Sequence, residues 1–350
     1  MKKVLLISNM YPSKKFPFFG TFVKNSEDVL TENDIAVDKV VIDKKCNNII
    51  SKVFIYLKFY IFILCKLFFG KYNYIYAHYV SHVSLPLLIY TLFNKKVKIV
   101  VHVHGGDIKK LDGTSSIFFK VKYFFANLIL KKANKIIVPS KAYKFFLNNE
   151  FDFTNYKDVI IYPSGGIDCN IFYLNKSTKV MEYKLGFAGR LVRSKNVHLI
   201  LEALSNTKNF TLEIVGNGPE YSNLVTLAEK LNIQDRVLFF DSKSQLELAE
   251  WYREIDYLIY PSESESLGLV PIEAIACGVS VILSKIPAFC ELQLNGFHVN
   301  LIDSISANDI YVTLSYIKDD NNQQRKHNAF LAKELYSRNK VQGDLLNVFQ

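Results

Sequence analysis

The sequence predicts an α/β protein built as two successive doubly wound parallel sheets. Three observations predict it. Short runs rich in Val and Ile alternate with longer helical patterns along most of the chain. Those runs are near-continuously apolar, the signature of strands covered on both faces. The alternation breaks once, at the turn-rich stretch opening with Ser164, Gly165 and Gly166, and then restarts. A length of 350 residues suits two domains of ordinary size.

In chain order, the first set of strands is expected at Val4–Ser8, Val40–Asp43, Tyr74–His78, Ile99–His104, Lys135–Ser140 and Val159–Pro163. Helical patterns separate most of them, including Ser51–Phe69 and Ser116–Lys132. The opening apolar run, Val4 to Ile7, is short for a leader peptide and reads as a first buried strand. The second set is Tyr183–Ala188, Phe210–Val215, Val237–Asp241, Tyr257–Tyr260 and Val279–Leu283. Its helices are Val197–Leu204, Glu220–Leu231, Ser244–Tyr252 and Val270–Cys277. The expected division is a first domain over 1–165, a linker over 166–182, a second domain over 183–320, and a helical tail over 321–350. The tail is expected to return toward the first domain. Open parallel sheets bind ligands beyond the carboxyl ends of their strands, so two of them imply a ligand cleft.

Hydrophobic residues make up 49% and charged residues 22%, which excludes wholesale disorder. Five scattered cysteines without a CxxC pair argue against a disulfide framework or a zinc site and fit a reducing cytoplasm. The net charge of +10 is uneven: 25 Lys against 11 acids give +14 over residues 1–165, and 18 basic residues against 22 acids give −4 over the rest. No Arg precedes Arg190. Lys-only charge among Phe and Tyr suits an anionic membrane surface or a phosphorylated acceptor better than base reading in nucleic acid. An AT-rich genome produces the same bias without a functional cause.

The segment Ile49–Phe69 is apolar and aromatic but carries Lys52, Lys58 and Lys66. A spanning helix would bury Lys58 near its centre at ~2.5–3.5 kcal/mol. A core helix with its lysines in solvent and a helix lying in the membrane interface both fit.

The strongest chemical signal follows the strand Tyr257–Tyr260. Pro261 and Ser262 lead to Glu265, and seven residues separate it from Glu273. Pro271 sits in the first turn of the next helix, where its missing N–H is harmless. A helix start offers free N–H groups and partial positive charge to a phosphate. Ser266, Leu267 and Gly268 form the loop toward it, and Gly268 permits close backbone approach. The plainer reading is two carboxylates stabilising the helix dipole. A second signal is Gly186…Gly189-Arg190 with Lys195, a glycine turn presenting two cations. Together they could neutralise a departing diphosphate. A third is Val215-Gly216-Asn217-Gly218-Pro219, a tight turn that is not GxGxxG and so gives no support for NAD.

These motifs resemble those of glycosyltransferase family 4, retaining enzymes of GT-B architecture, from Met1 to about Gly296. The resemblance implies two Rossmann-like domains facing across a cleft and a nucleotide-sugar donor. It implies that Arg190 and Lys195 hold the diphosphate, with Gly189 and Gly216 in the turns beside them. It places Glu273 on the ribose and Glu265 on the donor sugar, with Ser266, Leu267 and Gly268 lining the donor loop. In the first half, Met10…Gly20 resembles the family's first loop, with Gly20 near the donor phosphate. His104-Gly105-Gly106-Asp107 resembles the HGxD turn, which gives His104 and Asp107 catalytic roles on the sugar. Ala133-Asn134 and Gly166-Ile167-Asp168 resemble markers near the linker. The chain departs from the family at Gly165, Asn134 and Ser266-Leu267, the last at the place where the donor is chosen.

No Asp-x-Asp occurs anywhere in the chain, which together with Arg190 and Lys195 favours leaving-group stabilisation without a metal. The expected function is retaining transfer of a sugar to a hydroxyl of a glycan or lipid-linked glycan in bacterial surface-polysaccharide synthesis. No cofactor and no nucleic-acid partner are expected. The expected location is cytoplasmic, at the inner face of the membrane. Competing readings are a non-catalytic GT-B scaffold or chaperone and a nucleotide-sugar epimerase. His78, His82 and His102 are left structural or unassigned.

Overall fold

A computed structural model describes residues 2–16, 19–45, 48–94, 96–109, 116–175, 183–317 and 322–350. The chain forms two compact units, one of residues 1–165 with 341–350, the other of residues 166–340.

Unit 1 has a six-stranded sheet of β1 (Lys3–Ser8), β2 (Ala36–Val41), β3 (Tyr74–His78), β4 (Lys98–His102), β5 (Lys135–Val138) and β6 (Asp158–Ile161). The order is β2-β1-β3-β4-β5-β6, with every pair parallel. Alternate residues of β1 feed opposite faces, Leu5 and Ile7 one core and Val4 and Leu6 the other. Both faces are therefore covered, which is why most of the strands read as near-continuous apolar runs. Helices α2 (Ile49–Phe69), α3 (Val80–Phe93), α4 (Ser116–Lys132) and α5 (Lys141–Glu150) cover the first face. Helix α1 (Thr21–Glu32) covers the second. Ser140 caps α5 by accepting from the Tyr143 N–H at 3.0 Å. Asn134 Oδ1 accepts from the Ile99 N–H at 2.7 Å at the start of β4. An Asp would supply the same acceptor, so this departure from the family leaves the local fold intact.

Unit 2 has β7 (Tyr183–Ala188), β8 (Phe210–Val215), β9 (Val237–Phe240), β10 (Tyr257–Tyr260), β11 (Ser280–Ser284) and β12 (Asn300–Ile302). Their order is β12-β11-β10-β7-β8-β9, again all parallel. Helices α6 (Val197–Ser205), α7 (Tyr221–Lys230), α8 (Gln245–Glu254), α9 (Leu269–Ala276), α10 (Pro287–Leu294), α11 (Ala307–Tyr316) and α12 (Asn322–Tyr336) complete it around one core. Ser244 and Glu247 form a reciprocal capping box at α8.

Several expectations differ from this structure: the second strand, expected at Val40–Asp43, runs earlier, over Ala36–Val41. The stretch expected as linker is partly core: Ile167 and Phe172 are buried in unit 2. The Ile167 backbone also pairs with Tyr336 and Arg338 at 2.8 and 2.9 Å. Residues 176–182 of that stretch lie outside the described residues. The tail divides, with α12 packing in unit 2 and α13 (Arg338–Val348) joining unit 1 from Val341 onward. Val341, Leu345, Val348 and Phe349 fill the second core of unit 1, which the polar α12 could not. Finally, β4 stops at His102, so His104 lies in the turn beyond the strand rather than on its end.

Candidate active site

In unit 2 the chain runs from β7 out to β9 and then returns to β10 on the other side of β7. The order reverses between β7 and β10, and their carboxyl ends bracket the crevice where such sheets bind ligands. β7 delivers Gly189, Arg190 and Lys195 there, β8 delivers Gly216, and β10 delivers Glu265.

The turns are held against one another. The Gly189 N–H donates to Val215 O and the Leu191 N–H to Asn217 O, each at 3.0 Å. Gly216 has φ +140°, and a Cβ there would lie 1.9 Å from Gly189 O, so no other residue fits. The Glu263 N–H donates to Ser194 O at 3.0 Å, and Asn196 Nδ2 donates to Pro261 O at 3.1 Å.

These ties bring Lys195 onto Glu265 in a direct ion pair between largely buried side chains. The same ammonium donates to the Tyr260 hydroxyl at 3.2 Å and lies 4.9 Å from that ring's centroid. Tyr260 stacks on Phe187 at 5.4 Å, which fixes its plane. Burial works against the Lys195 charge, but Tyr260 and Glu265 outweigh it and hold its pKa above the ordinary lysine range. Burial and Glu265 push the Tyr260 hydroxyl up to about 12, against the pull of Lys195. Arg190, two residues from Val192, is exposed and pairs with no carboxylate among the described residues.

Glu273 lies in α9, whose N-cap is Gly268 in the left-handed region at φ +86°. A Cβ on Gly268 would meet the Phe289 ring at 2.5 Å. Burial pushes the Glu273 carboxyl up to about 8, while the Tyr252 hydroxyl beside it pulls the other way. Leu267 is turned into the core, so only its main chain is left to the loop. Ser266 is partly exposed between Glu265 and Leu267.

Unit 1 gathers a second set of groups at the ends of β3 and β4, where His78 faces His102 across the strand pair. His104 follows, packed between Phe22 and Tyr79 at 4.5 and 4.8 Å. Gly20, the N-cap of α1, lies against the Met10 backbone. Asp107 closes the short 3-10 turn Gly105–Asp107, and its side chain lies outside the described residues.

The His78 Nδ1 and His104 Nε2 atoms are 3.1 Å apart. Their ring planes differ by 12° with centroids 5.3 Å apart, so the rings meet edge to edge in nearly one plane. His78 Nε2 is buried with no partner. A buried orphan N–H is rarer than an orphan lone pair, which puts the His78 proton on Nδ1, donating to His104. His104 then carries its own proton on Nδ1. By the same argument His102, whose Nε2 is also orphaned, directs Nδ1–H at the Tyr76 hydroxyl 2.8 Å away. Burial lowers the pKa of all three, that of His104 to about 3, so all are neutral at pH 7. One ring nitrogen from each lies within 4.8 Å of the other two, a spacing that could admit a metal. A cation between His78 and His104 would first have to part their hydrogen bond.

The structure thus joins Lys195, Glu265 and the Gly189 and Gly216 turns in one place. It sets Glu273 in the adjoining helix and His104 and Gly20 in unit 1. Tyr260, His78 and His102 were not anticipated. Two strands ending in His, at His78 and His102, are the signal that would have flagged the histidine set.

Residues 173–330 match the family described as Glycosyl transferases group 1. The chain is 27% identical over 234 residues to the uncharacterized glycosyltransferase MJ1178 of Methanocaldococcus jannaschii, covering 66% of this chain and 62% of that protein. It is 27% identical over 227 residues to the O-antigen biosynthesis glycosyltransferase WclY of Escherichia coli, covering 60% of each. It is 26% identical over 240 residues to the N-acetyl-alpha-D-glucosaminyl L-malate synthase of Bacillus anthracis, covering 63% and 59%. The matches span about three-fifths of these curated relatives' length. Among solved structures, the sucrose-phosphate synthase of Thermosynechococcus elongatus superposes with TM-score 0.83 at 18% identity, covering 100% of this chain and 98% of that one. Anabaena HepE in complex with UDP and glucose gives 0.73 at 17% identity, covering 99% of each. The fold is GT-B, with two parallel six-stranded sheets.

Proposed function

We propose that this chain, which has the GT-B fold and whose residues 173–330 match the group 1 glycosyl transferases, is a glycosyltransferase using a nucleotide-sugar donor. The observation that carries the reading is the Lys195–Glu265–Tyr260 cluster at the point where the unit 2 sheet reverses order. A lysine held cationic by the Tyr260 hydroxyl and the Glu265 carboxylate against the cost of burial, with Arg190, which pairs with no carboxylate among the described residues, nearby in the chain, suits a diphosphate leaving group. In the proposed reaction an acceptor hydroxyl oxygen bonds to the anomeric carbon on the face the diphosphate leaves. The carbon–oxygen bond to the diphosphate breaks, and the hydroxyl proton passes to a departing phosphate oxygen. Configuration is retained, and no metal is needed because the cations are supplied by the protein. Glu273 takes the ribose and Glu265 the donor sugar. His104 is the sugar contact proposed for unit 1.

The UDP and glucose bound in HepE support a nucleotide-sugar donor. The O-antigen role in the name of WclY supports a surface polysaccharide acceptor, free or lipid-linked. No helix among the described residues is long and apolar enough to cross a membrane. A cytoplasmic protein held at the inner face of the membrane by peripheral contact completes the proposal. The test is transfer from an anomerically pure donor, with the product linkage read by NMR. A product with the donor's anomeric configuration supports the mechanism; an inverted product contradicts it. A chain that binds donors but transfers to no acceptor would favour the scaffold reading instead.

A further inference from the structure

The outer side of the α2–α3–α4 layer in unit 1 is apolar where a surface layer is ordinarily polar. On α2, Ile50, Val53, Phe54, Leu57, Ile61 and Phe68 are all exposed. At 3.6 residues per turn they fall within about 100° of arc. Only Phe59, Ile63 and Leu67 of that helix are fully buried. Helix α3 adds exposed Leu92 and Phe93, and α4 adds Ile117, Val121 and Phe124. α2 packs on α3 and α3 on α4, so these residues lie on one layer rather than scattered singly.

The charged residues carried by this layer's own helices are all lysines. Residues 44–106 hold nine Lys and no Asp, Glu or Arg, and α4 has no acid either. Where the carboxyl ends of α2 and α3 meet, they frame a cavity of about 620 Å³. Lys3, Lys71, Tyr72, Phe68, Tyr90 and Phe93 line it. Lys3 lies 5.2 Å from the Tyr72 ring centroid. The nearby Asp38 is already occupied by the Lys66 ammonium at 2.9 Å and the Tyr72 hydroxyl at 2.7 Å. Beside the cavity Phe69, Leu92 and Phe93 are 88%, 72% and 73% exposed.

We propose that this face is a docking surface for an anionic phospholipid bilayer. Phe69, Leu92 and Phe93 enter the acyl boundary, and Lys3 and Lys71 in the cavity meet a headgroup phosphate. The inference rests on the membrane element of the proposed function, and it does not depend on the transfer chemistry. A second copy of the chain fits worse, because pairing this face with itself would set Lys3 and Lys71 against their own copies. An anionic bilayer meets both the apolar area and the charge.

The test is co-sedimentation of the intact chain with phosphatidylglycerol–phosphatidylcholine vesicles and with phosphatidylcholine vesicles. Binding to the anionic vesicles at low salt, weakened by added salt, is expected. The triple variant F69S/L92S/F93S should bind at least about tenfold more weakly. K3Q/K71Q should lose on the order of thirtyfold on anionic vesicles and nothing on neutral ones. Circular dichroism confirms that these surface variants are folded. Absence of binding to anionic vesicles at low salt overturns the proposal, as does wild-type binding by the triple variant. Self-association abolished by the triple variant, without vesicle binding, assigns the face to a second copy and also overturns it. Stabilisation of the same proteins by nucleotide sugars reads the donor site separately. Loss of vesicle binding with donor stabilisation intact thus sinks only the surface, and the reverse only the chemistry.

Discussion

Lys195 and Glu265, 70 residues apart, meet as an ion pair whose side chains are only 18% and 16% exposed. Each neutralises the other in the free protein, and Tyr260 holds the lysine from a third side. Removing either partner leaves an uncompensated charge in a water-poor place. Lys195→Ala and Glu265→Ala should therefore each lower kcat by about 10²–10³. The double variant should lose much less than the sum, with a coupling energy of about 1–3 kcal/mol. Single-turnover transfer by all four proteins checks this, and simple additivity would show that the two residues act apart.

Glu273 gives a pH dependence of definite sign. Its carboxyl titrates near pH 8 in the free protein, above its unfolded value, so it is protonated at pH 7. A ribose bound through its hydroxyls favours the carboxylate. Donor affinity should then rise about tenfold per pH unit below 8 and level off above it. Calorimetry at pH 7 in buffers of different ionisation enthalpy should show close to one proton released per donor bound. Glu273→Gln should abolish both the slope and the proton release. By the same linkage, the ionised form is disfavoured in the fold, so this group's contribution to stability declines from about pH 4.5 to pH 8.

His78 acts on His104 through one hydrogen bond of 3.1 Å. Nitrogen-15 NMR of the imidazoles should show His104 protonated on Nδ1 and unprotonated on Nε2. A His104 proton on Nε2 would refute the arrangement. His78→Ala should release the tautomer and lower kcat with little change in donor affinity, and His78→Gln, which keeps a donor, should restore part of it. Equal loss in both variants would mark His78 as purely structural.

Gly216 is the hinge of the β8 turn. Gly216→Ala puts a methyl group 1.9 Å from Gly189 O, so one of the two turns must move. A loss of about 2–4 kcal/mol is expected, visible as a Tm lowered by several degrees. Gly343 has nothing within 4 Å of an added Cβ, and Gly343→Ala serves as the tolerated control.

Much of this fold was legible because both sheets are parallel and buried on two faces, so most of their strands read as near-continuous apolar runs; β2, with Asp38 and Lys39 inside it, does not. The three-residue β12 left too short a run to see. The division of the tail at α13 was hidden because its four anchoring residues count only where the unit 1 core has room for them. Helix α2 shows a further limit. It is apolar nearly all round, so periodicity could not say which side faces water, and the structure turns apolar side chains outward. At the candidate site, Glu265, Lys195 and Gly216 stood out because each sits at a strand end beside turn residues. Tyr260 and His78 did not. A tyrosine or histidine ending an apolar strand is ordinary until the pairing register shows what it touches.

In the proposed function Arg190 and Lys195 form the cationic part of a donor site that works without a metal. The most direct measurement is a thermal-shift panel of UDP-, GDP- and ADP-sugars with excess EDTA, on the wild type and on Arg190→Ala/Lys195→Ala. At least one donor should stabilise the wild type in EDTA, and none should stabilise the double variant. Stabilisation that requires a divalent cation, that survives in the double variant, or that no donor gives to the wild type would contradict the account.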